Sequence, residues 1–384
     1  MTTAPQLRSG RGPLVVADAG IPFGAELRED WYRLRRVEGD GWTASVLRDA
    51  DAICVRSTTR VDAALLTGSG VRFVGTVTSG VDHLDLDFLR AFGVAVYHTP
   101  GANAVAVAEY VLANLVDLAP KPLPPDFSLG VIGVGNVGAA VARRAALLGI
   151  SVRHYDPPRA DAEDDFASVP LEAALEADAV TLHVPLARDG PHPTAELLDA
   201  EAIGRMRSGA ILFNTARGGI VDEAAWRAAA EAGRLRAVVD CWLDEPKVNR
   251  GLLATSAVAT PHLAGHTIDA KRRGARWIVR ALDEFFAPPA AQQIKVIAGQ
   301  ASSAADVDGD TYLRLLAEQL DFEAVTLQMK ALGRAPDAAL ATGFAALRAN
   351  AGMRQELGRR FEGGWRRGTP VADPHLPSGP VRLL

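Results

Sequence analysis

Short apolar runs alternate along most of the chain with longer segments of helical periodicity. From Pro13 onward these runs are almost continuously apolar, which is typical of parallel strands buried on both faces. The predicted strands span 14–17, 52–55, 71–75 and 94–97 in a first block, and 129–132, 151–155, 179–183, 210–213, 236–239 and 257–259 in a second. The pattern predicts an α/β fold in which a compact first block precedes a doubly wound sheet.

The segments between and after these blocks predict how the chain is divided. Ala104–Leu118 is apolar around most of its circumference and predicts a buried helix that joins two domains, ended by a proline-rich stretch. Residues 298–310 have the composition of a linker, and 312–332 and 338–357 have helical periodicity. The tail from Gly363 is rich in Gly, Pro and Arg, and we expect its last residues to be disordered.

Composition narrows the classes of function. The 384 residues suggest two or three domains at about 150 residues each. A net charge of −5 argues against nucleic-acid or anionic-membrane partners, and no apolar run reaches the roughly 18 residues of a membrane span. The two distant cysteines, Cys54 and Cys241, favour core positions in a reducing cytoplasm over a disulfide or a metal site. We therefore expect a cytoplasmic protein with a small-molecule partner and no metal.

A glycine-rich turn follows the predicted strand 129–132. Its residues match GxGxxG and precede a helical run: Gly133, Val134, Gly135, Asn136, Val137 and Gly138. The first glycine permits a tight turn, the second lets a pyrophosphate approach the backbone, and the third lets the helix pack on the strand. Alone the motif is weak, but its position between strand and helix predicts a dinucleotide site.

Asp156 ends the next predicted strand, 18 residues after Gly138. At that spacing an acidic side chain meets the adenosine ribose and repels a 2′-phosphate, so NAD is favoured over NADP. The alternative is that Asp156 is a turn residue before two prolines.

Three further polar residues follow three later strands: Arg217, Glu245 and His262. Because open α/β sheets bind ligands at the carboxyl ends of their strands, we expect these side chains in one crevice. The plain alternatives are a surface arginine, a turn glutamate before Pro246 and a histidine at a helix start after Pro261.

Four motifs occur in the order GVIGVGNVG, NTARGGIVDE, VVDCWLDEP and TPHLAG. In these the chain resembles the D-isomer-specific 2-hydroxyacid dehydrogenases, from about Leu14 to Phe286. Finer features, among them VRSTTRVDAALL, FVGTVTSGVDHLD, YDPPRAD and DGPHPT, are similar to the branch that oxidises 4-phospho-D-erythronate in vitamin B6 biosynthesis.

The resemblance implies a fold and a division of the chain. It implies a Rossmann-type doubly wound NAD domain (104–263) inserted in a flavodoxin-like α/β substrate domain (1–103 and 264–287). A C-terminal dimerisation extension (288–384) completes the expected homodimer. The resemblance also implies NAD contacts at the glycine turn and at Asp156, Val184, Thr215, Ala216, Arg217, Asp240 and Gly265.

The resemblance and the chemistry together assign catalytic roles. We expect His262 to exchange the hydroxyl proton, since histidine ordinarily does so near neutral pH. Glu245 is expected to orient the imidazole, and Arg217 to bind and polarise the substrate.

The resemblance implies substrate contacts at Ser57 and Thr78. Arg56 is our first candidate for the phosphate, ahead of Arg60 and the basic run 271–273. In place of the family's substrate-contacting tyrosine, four residues after the catalytic histidine, this chain has His266. The alternatives that stay open are another D-2-hydroxyacid dehydrogenase, such as a phosphoglycerate dehydrogenase or a 2-oxoacid reductase, and a non-catalytic NAD sensor.

Overall fold

The computed structural model describes residues 12–287, 315, 321–351, 354–357 and 379–384. They fall into two compact units. The first unit comprises Met1–Asn103, Asp269–Ala301 and Leu376–Leu384, and the second comprises Ala104–Ile268 and Ser302–His375. The second unit is therefore inserted in the sequence of the first.

The elements of the described residues are numbered in chain order. The strands are β1 (Leu14–Asp18), β2 (Arg33–Val37), β3 (Ala52–Val55), β4 (Phe73–Thr76), β5 (Ala95–His98), β6 (Ser128–Ile132), β7 (Ser151–Tyr155), β8 (Ala179–Leu182), β9 (Ala210–Asn214), β10 (Leu235–Val239), β11 (Val258–Ala259) and β12 (Val381–Arg382). The helices are α1 (Ala63–Leu66), α2 (Leu86–Ala91), α3 (Ala104–Leu118), α4 (Asn136–Leu147), α5 (Pro157–Ala162), α6 (Leu171–Leu175), α7 (Ala200–Arg205), α8 (Glu223–Glu231), α9 (Arg250–Thr255), α10 (Ile268–Phe286), α11 (Phe322–Leu332) and α12 (Asp337–Ala351).

The sheet of the first unit has the strand order β12-β5-β4-β3-β1-β2. The five strands β1 to β5 are parallel and follow the flavodoxin-like order 2-1-3-4-5, as predicted. Both faces are apolar: Val16, Ile53 and Val74 belong to one core cluster, and Val15 and Phe73 belong to another on which α10 packs. The near-continuous apolar runs in the sequence reflect this burial on both sides.

The sheet of the second unit is wholly parallel, with the order β11-β10-β9-β8-β6-β7. The strand order reverses at β6, which has β7 on one side and β8 on the other, and such switch points are where Rossmann-type sheets bind ligands. The predicted doubly wound sheet is confirmed.

The C-terminal helices α11 and α12 pack on the core of the second unit. Met329, Leu340 and Phe344 are buried in the cluster that contains Trp226 and Trp242. The Thr326 hydroxyl accepts a hydrogen bond from the Ala259 N–H of the edge strand β11 at 3.1 Å. Among the described residues these helices thus extend an existing core. The separate dimerisation domain at 288–384 stays a prediction.

Several differences from the predicted elements have simple physical reasons. The edge strand β2 was missed because its sequence, RLRRV, carries three arginines and buries only Val37. The helix predicted to reach Leu357 ends at Ala351, and the linker 298–310 and residues 312–314 lie outside the described residues. None of the helices in the described ranges has the length and apolar composition to cross a bilayer.

The expectation of a disordered end of the chain was wrong. β12 pairs antiparallel with β5, and the Leu383 N–H donates to the Val96 carbonyl at 2.8 Å. Leu384 packs against the core cluster of the first unit. The open edge of β5 and one apolar side chain are enough to order residues whose local sequence predicts no strand.

Removal of residues 380–384 should lower the free energy of unfolding by about 1–3 kcal/mol, since it removes these hydrogen bonds and the burial of Leu384. Urea denaturation and amide exchange would measure the effect. The Val96 amide should exchange faster, whereas that of Val131 in β6 serves as the control. Unchanged stability and unchanged exchange at Val96 would show that the pairing contributes nothing.

Candidate active site

The glycine turn connects β6 to α4 and leaves space at only one of its three glycines. A Cβ at Gly133, where φ is +84°, would lie 2.7 Å from Val184 Cγ1, and one at Gly138 would lie 1.9 Å from the Gly133 oxygen. A Cβ at Gly135 would meet no atom within 4 Å. Gly135 is also the N-cap of α4, and no side chain caps that helix. The turn therefore presents an open concavity at a helix N-terminus, which suits a pyrophosphate.

Asp156 stands at the end of β7, as expected, but its carboxylate already has two backbone partners. Oδ2 accepts from the Val134 N–H at 2.7 Å, and Oδ1 accepts from the Arg159 N–H at 3.1 Å as the N-cap of α5. Arg159 in turn donates to the Val134 carbonyl at 3.0 Å and pairs with Glu163. Asp156 thus braces the glycine turn, and its contact with the ribose stays a prediction.

His183 and Val184 follow β8 beside the same turn. Burial lowers the pKa of His183 to about 3, so the imidazole is neutral at physiological pH. Its ring nitrogens lie 3.0 Å from the Thr181 hydroxyl and 3.5 Å from that of Thr215. His183 therefore holds the start of the Thr215–Ala216 segment through neutral hydrogen bonds.

The loop after β9 carries Arg217. Asn214 organises it by donating to the Arg217 carbonyl at 2.8 Å and by accepting from the Ala216 N–H at 3.1 Å. A Cβ at Gly218 would lie 2.0 Å from the Trp242 oxygen, so only glycine lets this loop approach the one after β10. The sequence NTARGG thus fits the close packing of two neighbouring strand ends.

Asp240, directly after β10, is 1% exposed and fixes the loop that follows β11. Its Oδ1 accepts from the Thr260 hydroxyl at 2.6 Å and from the Leu263 N–H at 2.8 Å, and its Oδ2 accepts from the Ala264 N–H at 3.0 Å. The Tyr110 hydroxyl of α3 lies 2.8 Å from that of Thr260. The Asp240 carboxylate therefore fixes the segment 260–264, a role that sequence reasoning missed. Its contact with NAD stays a prediction.

His262 and Glu245 form a hydrogen-bonded pair. His262 Nδ1 lies 3.0 Å and 2.9 Å from the two Glu245 oxygens, and Oε1 also accepts from the Trp242 N–H at 3.0 Å. Burial by itself raises the pKa of Glu245, but His262 and the Trp242 N–H outweigh it, so the pKa lies below its usual value. Because Nδ1 is engaged, Nε2 is the ring nitrogen left to face a substrate. The side chain of His262 is 29% exposed.

Cys241 lies among the same residues. Burial raises the pKa of its thiol far above the usual value, with Asp240 and Glu245 acting in the same direction and Arg217 against it. One ligand-type atom from each of Cys241, Glu245 and His262 falls within 4.8 Å of the others. The hydrogen bond between His262 and Glu245 suits proton transfer, and the expected absence of a metal stays a prediction.

The residues predicted to contact substrate belong partly to the first unit. Arg56 Nε donates to Asp18 Oδ1 at 2.8 Å, and a Cβ at Gly20 would lie 2.9 Å from the Arg56 guanidinium carbon. Ser57 is exposed beside Arg56. The Thr78 hydroxyl donates to the Gly80 carbonyl at 2.7 Å.

The weaker cation candidates have other partners. Arg60 pairs with Asp62, and Arg273 donates to the Ala102 carbonyl. His266 and Gly265, in the second unit, are half-buried, and the His266 N–H donates to the Leu263 carbonyl at 2.8 Å. Asp18, which sequence reasoning missed, is the last residue of β1 and could have been found by the same rule of polar residues at strand ends.

Comparison with known proteins places this geometry in a family. Residues 124–264 match the family model "D-isomer specific 2-hydroxyacid dehydrogenase, NAD binding domain". The chain is 41% identical over 280 residues to erythronate-4-phosphate dehydrogenase of Cronobacter sakazakii, covering 72% of this chain and 74% of that one. It is 43% identical over 276 residues to the same enzyme of Salinibacter ruber, covering 70% of each.

Solved structures agree on the fold. The TT0316 protein of Thermus thermophilus has a TM-score of 0.60 at 30% identity and matches 69% of this chain and 94% of its own. The NAD-bound 3-phosphoglycerate dehydrogenase of Entamoeba histolytica has a TM-score of 0.61 at 22% identity and matches 72% of this chain and 96% of its own. The predictions of an NAD cofactor and of a dehydrogenase are confirmed. The chain belongs to the erythronate-4-phosphate dehydrogenase family, within the NAD-dependent D-isomer-specific 2-hydroxyacid dehydrogenases.

Proposed function

We propose that this enzyme oxidises 4-phospho-D-erythronate to (R)-3-hydroxy-2-oxo-4-phosphooxybutanoate with NAD, in vitamin B6 biosynthesis. The observation that carries the proposal is the His262–Glu245 pair at the strand ends of an NAD-binding sheet. The relatives that bear this activity in their names are about 40% identical to the chain.

The residues of the second unit fit the cofactor. Gly135 leaves room for a pyrophosphate, and Asn136 and Val137 form the first turn of α4 beside it. We assign further contacts to Val184, Thr215 and Ala216, which lie beside that turn or after β9, and to Asp156, Asp240 and Gly265. NAD, when bound, supplies the acceptor for the hydride on C2 of the substrate.

His262 acts as the base in oxidation. Its Nε2 takes the proton of the C2 hydroxyl as the carbonyl forms, and it returns that proton in the reverse reaction. The hydrogen bond from Nδ1 to Glu245 keeps Nε2 unprotonated and directed outward before reaction, and the ionised carboxylate stabilises the imidazolium afterwards. Arg217, on the loop after β9, binds the substrate carboxylate through paired N–H donors and polarises the developing carbonyl.

The phosphate requires a cation beyond Arg217, and Arg56 is the best candidate. Its Nε is held by Asp18, which is 3% exposed, and its side chain is packed over Gly20. With Nε held by Asp18, the two terminal nitrogens are the donors that would pair with the phosphate oxygens. Ser57 and Thr78 are assigned hydroxyl contacts, and His266 takes the place of the family's tyrosine.

We further propose, from the family resemblance alone, a cytoplasmic homodimer that uses residues 288–384, with the substrate domain at 1–103 and 264–287 and the NAD domain at 104–263. Sedimentation of the full chain tests the dimer. A monomer at micromolar concentration would remove this part of the proposal.

The reaction is tested by NADH formation with three acids: 4-phospho-D-erythronate, 3-phospho-D-glycerate and D-lactate. We expect the first to give the highest kcat/KM. Preference for either of the others would identify a different 2-hydroxyacid dehydrogenase. Tight NAD binding without turnover of any acid would identify a sensor on the same fold.

Gly135→Ala should weaken NAD binding by about tenfold or more without lowering the unfolding temperature, because the added methyl fills the pyrophosphate space but meets no protein atom. Gly138→Ala is the matched contrast. Its Cβ would lie 1.9 Å from the Gly133 oxygen, so both NAD affinity and stability should fall. Fluorescence titration and thermal unfolding measure the two effects, and equal behaviour of both variants would contradict the assignment.

His262→Ala should lower kcat by about 10²–10⁴-fold, the usual contribution of a positioned general base. NAD affinity should survive, because the glycine turn is unchanged. Glu245→Gln should lower kcat by a smaller factor, since an amide still accepts a hydrogen bond but carries no charge. Turnover close to that of the unchanged enzyme in His262→Ala would refute the assignment of the base.

Arg56→Ala should raise KM for 4-phospho-D-erythronate by about tenfold or more, and that for the unphosphorylated D-erythronate far less, because only the former presents a phosphate. Arg60→Ala, at an exposed arginine paired with Asp62, is the control. Steady-state kinetics with both acids gives the comparison. Equal effects on the two KM values would remove Arg56 as a phosphate ligand.

A further inference from the structure

We propose that Arg354 and Glu356, in the C-terminal part of the chain, are positioning residues for the loop 262–268 that carries His262. The expected loss of kcat rests on the proposed function, whereas the expected restraint of the loop does not. In this proposal the C-terminal extension completes the active site of its own subunit, in addition to any role in association.

The loop 262–268 needs restraint from outside. His262 has φ +53°, a left-handed conformation that costs a non-glycine residue about 1–3 kcal/mol and persists only where neighbouring structure enforces it. Asp240 provides part of that restraint, because its carboxylate accepts hydrogen bonds from the N–H groups of Leu263 and Ala264. A carboxylate cannot donate a hydrogen bond, so the Ala264 carbonyl needs a donor from elsewhere.

Arg354 supplies the other side. Its Nη2 donates to the Ala264 carbonyl at 2.6 Å and to the Ala106 carbonyl of α3 at 3.1 Å. The Ala264 residue is thus held at its N–H by Asp240 and at its carbonyl by Arg354. A second tie runs through the backbone, where the Ile268 N–H donates to the Arg354 carbonyl at 2.8 Å.

The guanidinium of Arg354 lies among carboxylates and carbonyl oxygens of the second unit. Its Nε and Nη1 are buried and have no hydrogen-bond partner among the described residues, whereas Nη2 has two carbonyl acceptors. Burial lowers the pKa of the guanidinium, and the nearby charges of Glu109, Glu356 and Asp240 oppose that shift. Burying a guanidinium is unfavourable unless such carboxylates and carbonyl acceptors surround it. The charge therefore lies in a site formed by α3, the loop and its own segment.

Glu356 holds the far end of the loop. Its Oε1 accepts from the Thr267 hydroxyl at 3.0 Å, with Glu356 3% and Thr267 0% exposed. Residues two and five positions after His262 are therefore both fixed by the short segment 354–357. Release of this end of the loop would therefore loosen His262, which precedes it and is otherwise held from the side of Asp240.

The test uses Arg354→Ala and Arg354→Lys in the full-length enzyme, with Arg334→Ala as the control, at an exposed arginine of the same C-terminal part. Amide hydrogen exchange of peptides covering 262–268 and 128–132 is measured with NAD and no substrate. In Arg354→Ala the loop should exchange about tenfold faster or more, because a charged hydrogen bond to the Ala264 carbonyl is lost, while β6 keeps its rate. Arg354→Lys, which retains one charged donor, should fall between.

In the NADH assay, Arg354→Ala should lower kcat by about ten- to a hundredfold, the expected effect of a misplaced base, with a smaller change in KM. Unchanged exchange in the loop, equal acceleration in the loop and β6, or unchanged kcat would each overturn the proposal. Should Arg354→Ala not fold, Thr267→Val removes only the hydroxyl donor to Glu356, and it must accelerate the same peptide. An unaltered enzyme that oxidises no acid would overturn the proposed function, but the exchange result would still decide the restraint.

Discussion

The arrangement of the catalytic residues depends on one buried carboxylate. Asp240 accepts three hydrogen bonds from the segment that ends β11 and begins the next loop. Hydrogen bonds to a charged group contribute about 1.5–3 kcal/mol each, the same order as the cost of the left-handed backbone at His262. Asp240 therefore offsets part of that cost, and the conformation that results presents the imidazole to Glu245.

This arrangement is an outcome of the parallel sheet. All six strands of the second unit run in the same direction, so the loops after β6, β9, β10 and β11 emerge along one edge. Small residues then permit close packing: Gly218 packs against the Trp242 backbone, and Gly138, at the start of α4, packs against the Gly133 carbonyl. The charged residues of the site thus lie on loops, and these loops are positioned by strands whose own side chains are almost entirely apolar.

Sequence patterns predicted the elements that are buried on both sides and missed those defined by long-range partners. Apolar runs gave nine of the strands and the bounds of α3, because burial on two faces leaves little room for polar residues. The tenth predicted strand, β7, has the sequence SVRHY and is only partly buried. β2 and β12 are strands only because β1 and β5 have free edges beside them. The local sequence of a strand does not show which other strand it will pair with.

The same distinction holds in the candidate site. The types and order of Arg217, Glu245 and His262 follow from the motifs and strand ends, and the contact of the last two is seen directly. The bracing roles of Asp156 and Asp240 could not be predicted, because each depends on backbone N–H groups more than 20 residues away. A hydrogen bond to a backbone group so distant in sequence leaves no local pattern by which to find it.

The contacts of Arg354 also join residues that are far apart in the sequence of the second unit. The longer segment of that unit runs from Ala104 to Ile268. The Arg354 side chain donates to the carbonyl of Ala106, near the start of this segment, and its backbone carbonyl accepts from the N–H of Ile268, at the end. One residue therefore links the two ends of a segment of about 165 residues, and it closes within the second unit a loop of chain that contains the glycine turn, Arg217, Glu245 and His262.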